Sequence, residues 1–188
     1  GNNYSNDWVK EAEKRGLLNL KTTPDALPSF VNSKNVELFT KHHVLSETEL
    51  YSRYEILLDN YSKTIHIEAL TMIDLAKKEI IPAILGYQGE IANNKKKLSS
   101  SIQCCLEENI LNKISTLGNS LYSKLEDLEK SVLDAKLHTE ALDLAKYYRE
   151  SVFMNMQQLR AVVDELETLV SKKYWTLPSY GELLFSVN

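Results

Sequence analysis

Histidine and carboxylate pairs are the side chains whose spacing in this sequence suggests metal chemistry. His43 and Glu47 have the four-residue spacing of two ligands on one helix. A helix is predicted to begin at Ser46, between them, so we interpret neither as a ligand. His66 and His138 have no such partner and are interpreted as surface or core residues. None of the four histidines follows a glutamate by three residues, which disfavours the Glu-x-x-His motif of di-iron bundles.

Other patterns that carry chemistry do not occur in the sequence. There is no glycine-rich phosphate loop and no nucleophile elbow. Cys104 and Cys105 are adjacent, which is neither a disulfide framework nor a zinc spacing, and we interpret both as small apolar residues. Carboxylates such as Glu107 and Glu108 lie on polar helix faces, and the basic run 95–97 is typical of a solubilising loop. We therefore predict no catalytic, cofactor-binding or metal-binding residue in this chain.

The net charge and the hydropathy of the sequence exclude two classes of partner. The net charge is -4 with both signs interspersed, so we expect neither nucleic acid nor a membrane as a partner. No apolar run approaches the roughly 20 residues that span a bilayer, and the first residues do not resemble a signal peptide. These features predict a soluble, cytoplasmic protein. Gly1 is not preceded by methionine and is interpreted as a residue left by tag removal.

The elements that would position any site are helices, and the first long one is predicted over residues 46–92. Ser46 and Glu49 have the spacing of a capping box. Pro82 lacks an amide hydrogen, so we expect a kink over residues 78–82. Apolar residues recur every three or four positions, as one face of a helix requires: Leu50, Tyr54, Leu57, Tyr61, Ile65, Ala69, Met72, Ala76, Ile80, Ala83 and Tyr87.

Two further long helices follow from the same periodicity, over residues 102–135 and 139–173. Between them we place a turn, with Thr139 as the cap of the third helix. The predicted fold is therefore all-α, an elongated antiparallel bundle of three long helices with short N-terminal helices and an apolar C-terminal tail. The predicted divisions are residues 1–45 for the short elements, 46–173 for the bundle and 174–188 for the tail.

Residues 1–45 are predicted to form short helices that dock on the bundle. Asn6 or Asp7 caps the first of these helices. Thr23 caps the second, which stops at Pro28. Ser33 caps the third.

The tail is dense in aromatic and aliphatic residues. Burying a Leu, Phe or Trp side chain is worth about 1.5 to 3 kcal/mol, so such a tail should dock rather than remain in water. It either folds back on its own bundle or packs on another domain or subunit. The candidate interface residues are Tyr174, Trp175, Leu177, Pro178, Tyr180, Leu183, Leu184 and Phe185.

Several separate blocks of the sequence resemble type III glutamine synthetases. The carboxyl end is similar to theirs, since a leucine- and arginine-containing helix over residues 159–167 runs into a tryptophan, a proline turn, Tyr-Gly and a final Leu-Leu-Phe. Trp175 is followed here by Thr176, where the family usually has proline, and the proline comes only at Pro178. Blocks in the front half are similar to the segment that follows the family's catalytic barrel: residues 35–39, 44–47 with 49–50, 52–55, 67–69, 72–76 and 81–83.

The resemblance implies a parent enzyme that joins glutamate and ammonia, using ATP and Mg²⁺ or Mn²⁺. In that family the metal, ATP and glutamate sites lie on an upstream catalytic domain, so we carry over no catalytic residue. The implied partners of this chain are its own upstream catalytic domain and neighbouring subunits of a homo-oligomer, and the implied role is structural. Two alternatives stay open: a free-standing helical adaptor that binds a partner protein, and a small metal-dependent enzyme built on His43 and Glu47.

Overall fold

The computed structural model describes residues 5–98 and 103–185, and every regular element in these ranges is helical. Three long helices of 52, 33 and 29 residues dominate, which confirms the predicted all-α class. The short helices are α1 (Asn6–Lys14), α2 (Thr23–Phe30), α3 (Ser33–Lys41) and, at the carboxyl end, α9 (Tyr180–Phe185). The long helices contain α4 (Glu47–Leu75), α5 (Ile81–Leu98), α6 (Cys105–Asp134), α7 (Ala141–Tyr147) and α8 (Phe153–Leu169).

Single irregular turns join several of these helices into the long ones. A π-helical turn (Ala76–Ile80) connects α4 to α5, and a second one (Tyr148–Val152) connects α7 to α8. A 3₁₀ turn (Ala135–Leu137) ends the second long helix. In the part of the chain that the structure describes, no helix has both the length and the apolar character to cross a membrane.

The π-helical turn before α5 lies where the sequence predicts a proline kink. The amide of Ile81 donates to the carbonyl of Ala76, five residues back, which is the π-helical pattern. Pro82, the next residue, has no amide hydrogen, and its ring crowds the carbonyl four residues before it. The wider turn lets the helix accommodate both effects and continue to Leu98, six residues beyond the predicted end at Ala92.

The predicted capping residues are correct for α4 and displaced elsewhere. The amide of Ser46 donates to Glu49 Oε2 at 2.8 Å, and the amide of Glu49 donates to Ser46 Oγ at 3.3 Å, which completes the capping box. The first three helices are capped one or two residues earlier than predicted, by Ser5, Thr22 and Asn32. The third long helix begins after Glu140 rather than Thr139.

Two further predicted helix ends are wrong. Pro28 lies inside α2, which continues to Phe30. A proline at this position removes one hydrogen bond from a helix of only eight residues, and the turn tolerates the loss. The third long helix ends at Leu169, four residues before the predicted Lys173. The predicted start of the second long helix at residue 102 lies outside the described residues, as does Gly1.

Contacts divide the chain into two compact units. The first unit comprises residues 1–64 and 138–149, and the second comprises residues 65–137 and 150–188. This division does not test the predicted domain bounds, which stay a prediction. In the first unit α2 contacts both α3 and α7. The rings of Phe30 and Phe39 meet edge to face with centroids 6.1 Å apart, and Pro24, Leu50 and Leu58 are buried.

In the second unit α6 packs against both α5 and α8. Lys77 pairs with Glu129 and Lys95 with Glu108, so α6 runs antiparallel to the first long helix. Lys113 pairs with Glu165 at 3.0 Å, and Asn155 Nδ2 donates to the carbonyl of Asp127 at 3.3 Å, so α6 is also antiparallel to α8. The second unit is therefore an up-down-up arrangement of three helices. Its most deeply buried large side chains are Ile114, Leu121, Leu125, Leu128, Val152, Leu159 and Leu166.

Candidate functional site

The metal pair suggested by the sequence does not form on one helix. His43 has a φ of 54°, in the left-handed region. Its amide donates to the carbonyl of Thr40, and the amide of Val44 donates to that of Phe39, which is the Schellman pattern that ends a helix. His43 therefore ends α3, while Glu47 begins α4. Within residues 5–98 and 103–185, no three His, Cys, Asp or Glu side chains are grouped closely enough to hold a metal ion.

The segment after α8, residues 171–177, is called the strap below. Its first residues form a turn in which the amide of Tyr174 donates to the carbonyl of Ser171 at 2.8 Å. Lys173 Nζ lies 3.3 Å from Glu90 Oε1 on α5 and 5.1 Å from the centre of the Tyr174 ring. Hydrogen bonds from Tyr174 and Lys173 hold the pKa of Glu90 below its ordinary value, and Glu90 raises the pKa of Lys173. Both shifts favour the charged pair, so the strap is tied to α5.

The ring of Tyr174 lies directly against α5. Its centroid is 5.9 Å from that of Tyr87, with the two planes tilted by 44°. It also covers Gly86, where a Cβ atom would approach Tyr174 Cδ1 to 2.9 Å. A side chain at this position would force the ring to shift. Glycine at position 86 therefore permits the close approach of strap to helix.

Two further residues of the strap, Trp175 and Leu177, are half-buried. The indole Nε1 of Trp175 is itself buried. Leu177 lines an apolar groove of about 390 Å³. Residues of the first long helix form one wall of this groove, including Met72 and Leu75, and α8 forms the other with Met156 and Val163. This part of the tail folds back on its own bundle, as one of the two predicted alternatives requires.

Helix α9 follows the strap and begins with a second capping box. The amide of Ser179 donates to Glu182 Oε2 at 2.7 Å, and the amide of Glu182 donates to Ser179 Oγ at 3.4 Å. Glu182 Oε1 also lies 2.9 Å from Nζ of Lys172 in the strap. The hydrogen bonds from Lys172 and then Ser179 lower the pKa of Glu182 to about 2. Glu182 therefore starts α9 and joins it to the strap.

The apolar side chains of α9 are exposed to solvent. Leu183, Leu184 and Phe185 are 65%, 58% and 79% exposed. An ordered helix that presents three large apolar residues together is typical of a docking surface. The structure thus separates seven of the eight candidate interface residues into two groups. Tyr174 and Leu177 contact other residues of the second unit and Trp175 is half-buried, whereas Pro178 and the three residues of α9 are exposed. The side chain of Tyr180 lies outside what the structure describes.

The first unit has an apolar hollow that the sequence reasoning missed. It occupies about 680 Å³ and is lined by Phe30 and by a face of α4 that includes Ile56 and Leu57. Ile56 and Leu57 are 54% and 45% exposed, while the neighbouring Leu58 is fully buried. Leu57 was predicted to lie on the buried stripe. The signal that would have corrected this is the run of three consecutive apolar residues, which no single helix face can bury.

The sequence comparisons identify the family of this all-α chain. A family profile described as the glutamine synthetase C-terminal domain matches residues 1–99. The chain therefore belongs to the glutamine synthetase C-terminal domain family, which confirms the resemblance noted from the sequence blocks.

Longer proteins are similar along almost the whole chain. It is 41% identical over 194 residues to a glutamine synthetase of Butyrivibrio fibrisolvens and 35% identical over 199 residues to a type-3 glutamine synthetase of Dictyostelium discoideum. A glutamine synthetase of Bacteroides fragilis is 26% identical over 193 residues. These alignments cover 98 to 100% of this chain but only 26 to 27% of the relatives. The chain thus spans about a quarter of the length of the relatives it matches.

Proposed function

We propose that this chain is the carboxyl-terminal helical part of a type III glutamine synthetase and that its role there is structural. The longer enzyme would ligate glutamate and ammonia to glutamine in the cytoplasm. A relative named type-3 glutamine synthetase supports this assignment, as does the family to which the chain belongs. The part of the relatives that this chain does not match is large enough to hold a complete catalytic domain.

The exposure of α9 carries the structural part of the proposal. Burial of one Leu or Phe side chain is worth about 1.5 to 3 kcal/mol, so covering Leu183, Leu184 and Phe185 together would stabilise an assembled enzyme by several kcal/mol. The partner we propose is the remainder of the same enzyme, in its own subunit or in a neighbouring one of a homo-oligomer. The chain would then brace the assembly rather than take part in the chemistry.

The cofactors belong to the other part of the enzyme in this proposal. The family resemblance implies ATP with Mg²⁺ or Mn²⁺. Such ions prefer several carboxylate oxygens, and the described residues contain no group of three acidic, histidine or cysteine side chains that fits one. We therefore assign no step of the ligation to this chain.

Deletion of residues 174–188 from the longer enzyme tests the bracing role. Sedimentation velocity should show a smaller or less stable assembly, with a corresponding loss of glutamine synthesis. A matched control is Leu106→Ser, because Leu106 is also a strongly exposed leucine (69%) but lies on α6. Unchanged assembly size and unchanged activity after the deletion would contradict the proposal.

A free-standing adaptor is the second candidate, and the apolar groove of the second unit favours it. Its walls of Met72, Leu75, Met156 and Val163 suit the apolar face of a partner helix. An immunoblot of the source cells distinguishes the two functions. A band several times heavier than 21.5 kDa supports the synthetase, and a band at this mass supports the adaptor.

A further inference from the structure

Two glycines on α5 have very different surroundings. Gly86 and Gly89 are three residues apart on the same helix, and glycine destabilises a helix relative to alanine. A Cβ at Gly89 would meet nothing within 4 Å. A Cβ at Gly86 would meet Tyr174 Cδ1 at 2.9 Å and Cε1 at 3.1 Å. Gly86 therefore creates a notch that the Tyr174 ring fills, whereas Gly89 leaves open space.

The notch is surrounded by groups that recognise the residues of the strap. Tyr87 meets the Tyr174 ring from the side, and Glu90 pairs with Lys173. Gly86, Tyr87 and Glu90 lie within a little more than one helical turn, with Gly86 and Glu90 four residues apart on one face. Gly86 leaves a gap for the ring of Tyr174, and Tyr87 provides an aromatic neighbour for it. Glu90 provides an anion for Lys173.

Docking of the strap also determines where α9 can lie. Lys172, the residue before this Lys-Tyr pair, forms an ion pair with Glu182 of α9. Leu177 lines the groove of the second unit two residues before Ser179, the cap of α9. The strap is thus attached to α9 through Lys172 and to the groove through Leu177. These two attachments determine the position of α9.

We propose that Gly86, Tyr87 and Glu90 form a receptor for Lys173 and Tyr174, and that this lock holds α9 in the position from which it presents its apolar residues. The proposal deepens the bracing function and rests on it for the role of α9. The lock itself is a property of this chain. Because Gly86 and the strap lie outside the deeply buried centre of the second unit, we expect the helices to fold without the lock.

The test compares Gly86→Val with Gly89→Val, which place the same side chain on the same helix. Both variants carry Trp8→Phe, so that Trp175 is the remaining tryptophan of the two in the sequence. Gly86→Val should release the strap, shift the Trp175 emission to longer wavelength and speed chymotrypsin cleavage after Tyr174 or Trp175 by about tenfold. Gly89→Val should leave both the emission and the cleavage rate unchanged.

A variant without the Tyr174 ring distinguishes release of the strap from damage to α5. Tyr174→Ala removes the ring without changing the helix, and it should reproduce the effects of Gly86→Val. Gly86→Val should then add no further effect in the Tyr174→Ala background, because there is no ring left to displace. Equal cleavage rates in the two valine variants, or an undiminished effect of Gly86→Val without the ring, would overturn the proposal.

These readouts use the 188-residue chain alone, so they separate the lock from the bracing function. Sedimentation of the longer enzyme carrying Gly86→Val then tests the connection between them. A released strap should weaken the assembly as the deletion of residues 174–188 does. A released strap with an intact assembly would overturn the role of the lock in presenting α9.

Discussion

Helices α4 and α9 both begin with a capping box but differ in length and in burial. In each, a serine and a glutamate three residues later exchange hydrogen bonds with the backbone amides, at 2.8 and 3.3 Å in α4 and at 2.7 and 3.4 Å in α9. Helix α4 then runs for 29 residues, and α9 runs for six. The capping box therefore defines where a helix begins but not how far it continues.

Burial explains the difference. Leu50 and Leu58 of α4 are fully buried, whereas Leu183, Leu184 and Phe185 of α9 are all more than half exposed. A helix as short as α9 is marginal in water, because few backbone hydrogen bonds repay the cost of its first turn. Its cap and the Lys172 ion pair give it local order, but within the described residues its apolar side chains Leu183, Leu184 and Phe185 remain more than half exposed. This exposure supports the proposal that a partner covers α9.

The largest contrast should appear when a leucine of each helix is shortened. Leu58→Ala removes a fully buried side chain and should lower the free energy of unfolding by about 2 to 5 kcal/mol. Leu184→Ala should change it by less than about 0.5 kcal/mol, because Leu184 is 58% exposed. Urea denaturation of the 188-residue chain measures both. Equal losses in the two variants would remove the distinction between the helices.

Replacement of the two capping serines should give a difference of intermediate size between the helices. Ser46→Ala should lower the free energy of unfolding by about 1 kcal/mol, since α4 is part of the cooperative core. Ser179→Ala should leave the unfolding curve unchanged and instead fray α9, which exchange of the Leu183 amide hydrogen would detect. A global loss on Ser179→Ala would mean that α9 is packed within the chain after all.

The smallest effect is a difference in titration between the two capping glutamates. Serine hydrogen bonds lower the pKa of Glu49, and the additional Lys172 hydrogen bond lowers that of Glu182 to about 2. Because these pKa values are depressed on folding, the stabilisation is present above about pH 4.5. For Glu182 it is lost as the pH falls from there to about 2.

Carboxyl NMR titration checks this ordering of the two glutamates. Lys172→Ala should move the titration of Glu182 towards that of Glu49, and added salt should do the same in part, because the pair is exposed. The titration of Glu49 should not respond to Lys172→Ala. A Glu182 midpoint near the ordinary value of 4.5 in the unmodified chain would contradict the structure.

Periodicity predicted the helices well because a buried face imposes its spacing on the sequence. Leu121, Leu125, Leu128 and Val132 recur at spacings of three or four and are buried, and so are Met156, Leu159 and Leu166. Caps were harder to predict, because neighbouring polar residues offer similar side chains. Thr22 rather than Thr23 caps α2, and Asn32 rather than Ser33 caps α3. Backbone conformation decides between such neighbours, and a residue pattern does not record it.

The site was predicted in part. The tail was recognised as a docking element from its composition, but composition could not say which residues contact their own bundle. That division depends on Gly86 and Tyr174, which are far apart in sequence and meet only in the folded chain. From the sequence alone, Gly86 is only a residue that weakens a helix. Its function as a notch needs a second surface, which a sequence read along the chain does not provide.

Thiol labelling at residue 184 tests most directly whether the rest of a longer enzyme covers α9, as we propose. Leu184→Cys is made together with Cys104→Ala and Cys105→Ser, because Cys105 is exposed and would react. Labelling at position 184 is read by peptide mass spectrometry in the 188-residue chain and in the longer enzyme. Ser123→Cys, at an exposed position on α6, provides the control for access of the reagent.

We predict rapid labelling of residue 184 in the 188-residue chain and labelling at least about tenfold slower in the longer enzyme, with the control site reacting equally in both. Such a result would mean that assembly covers the apolar residues of α9. Equally rapid labelling of residue 184 in both proteins would show that α9 remains exposed in the enzyme, and it would contradict the bracing function.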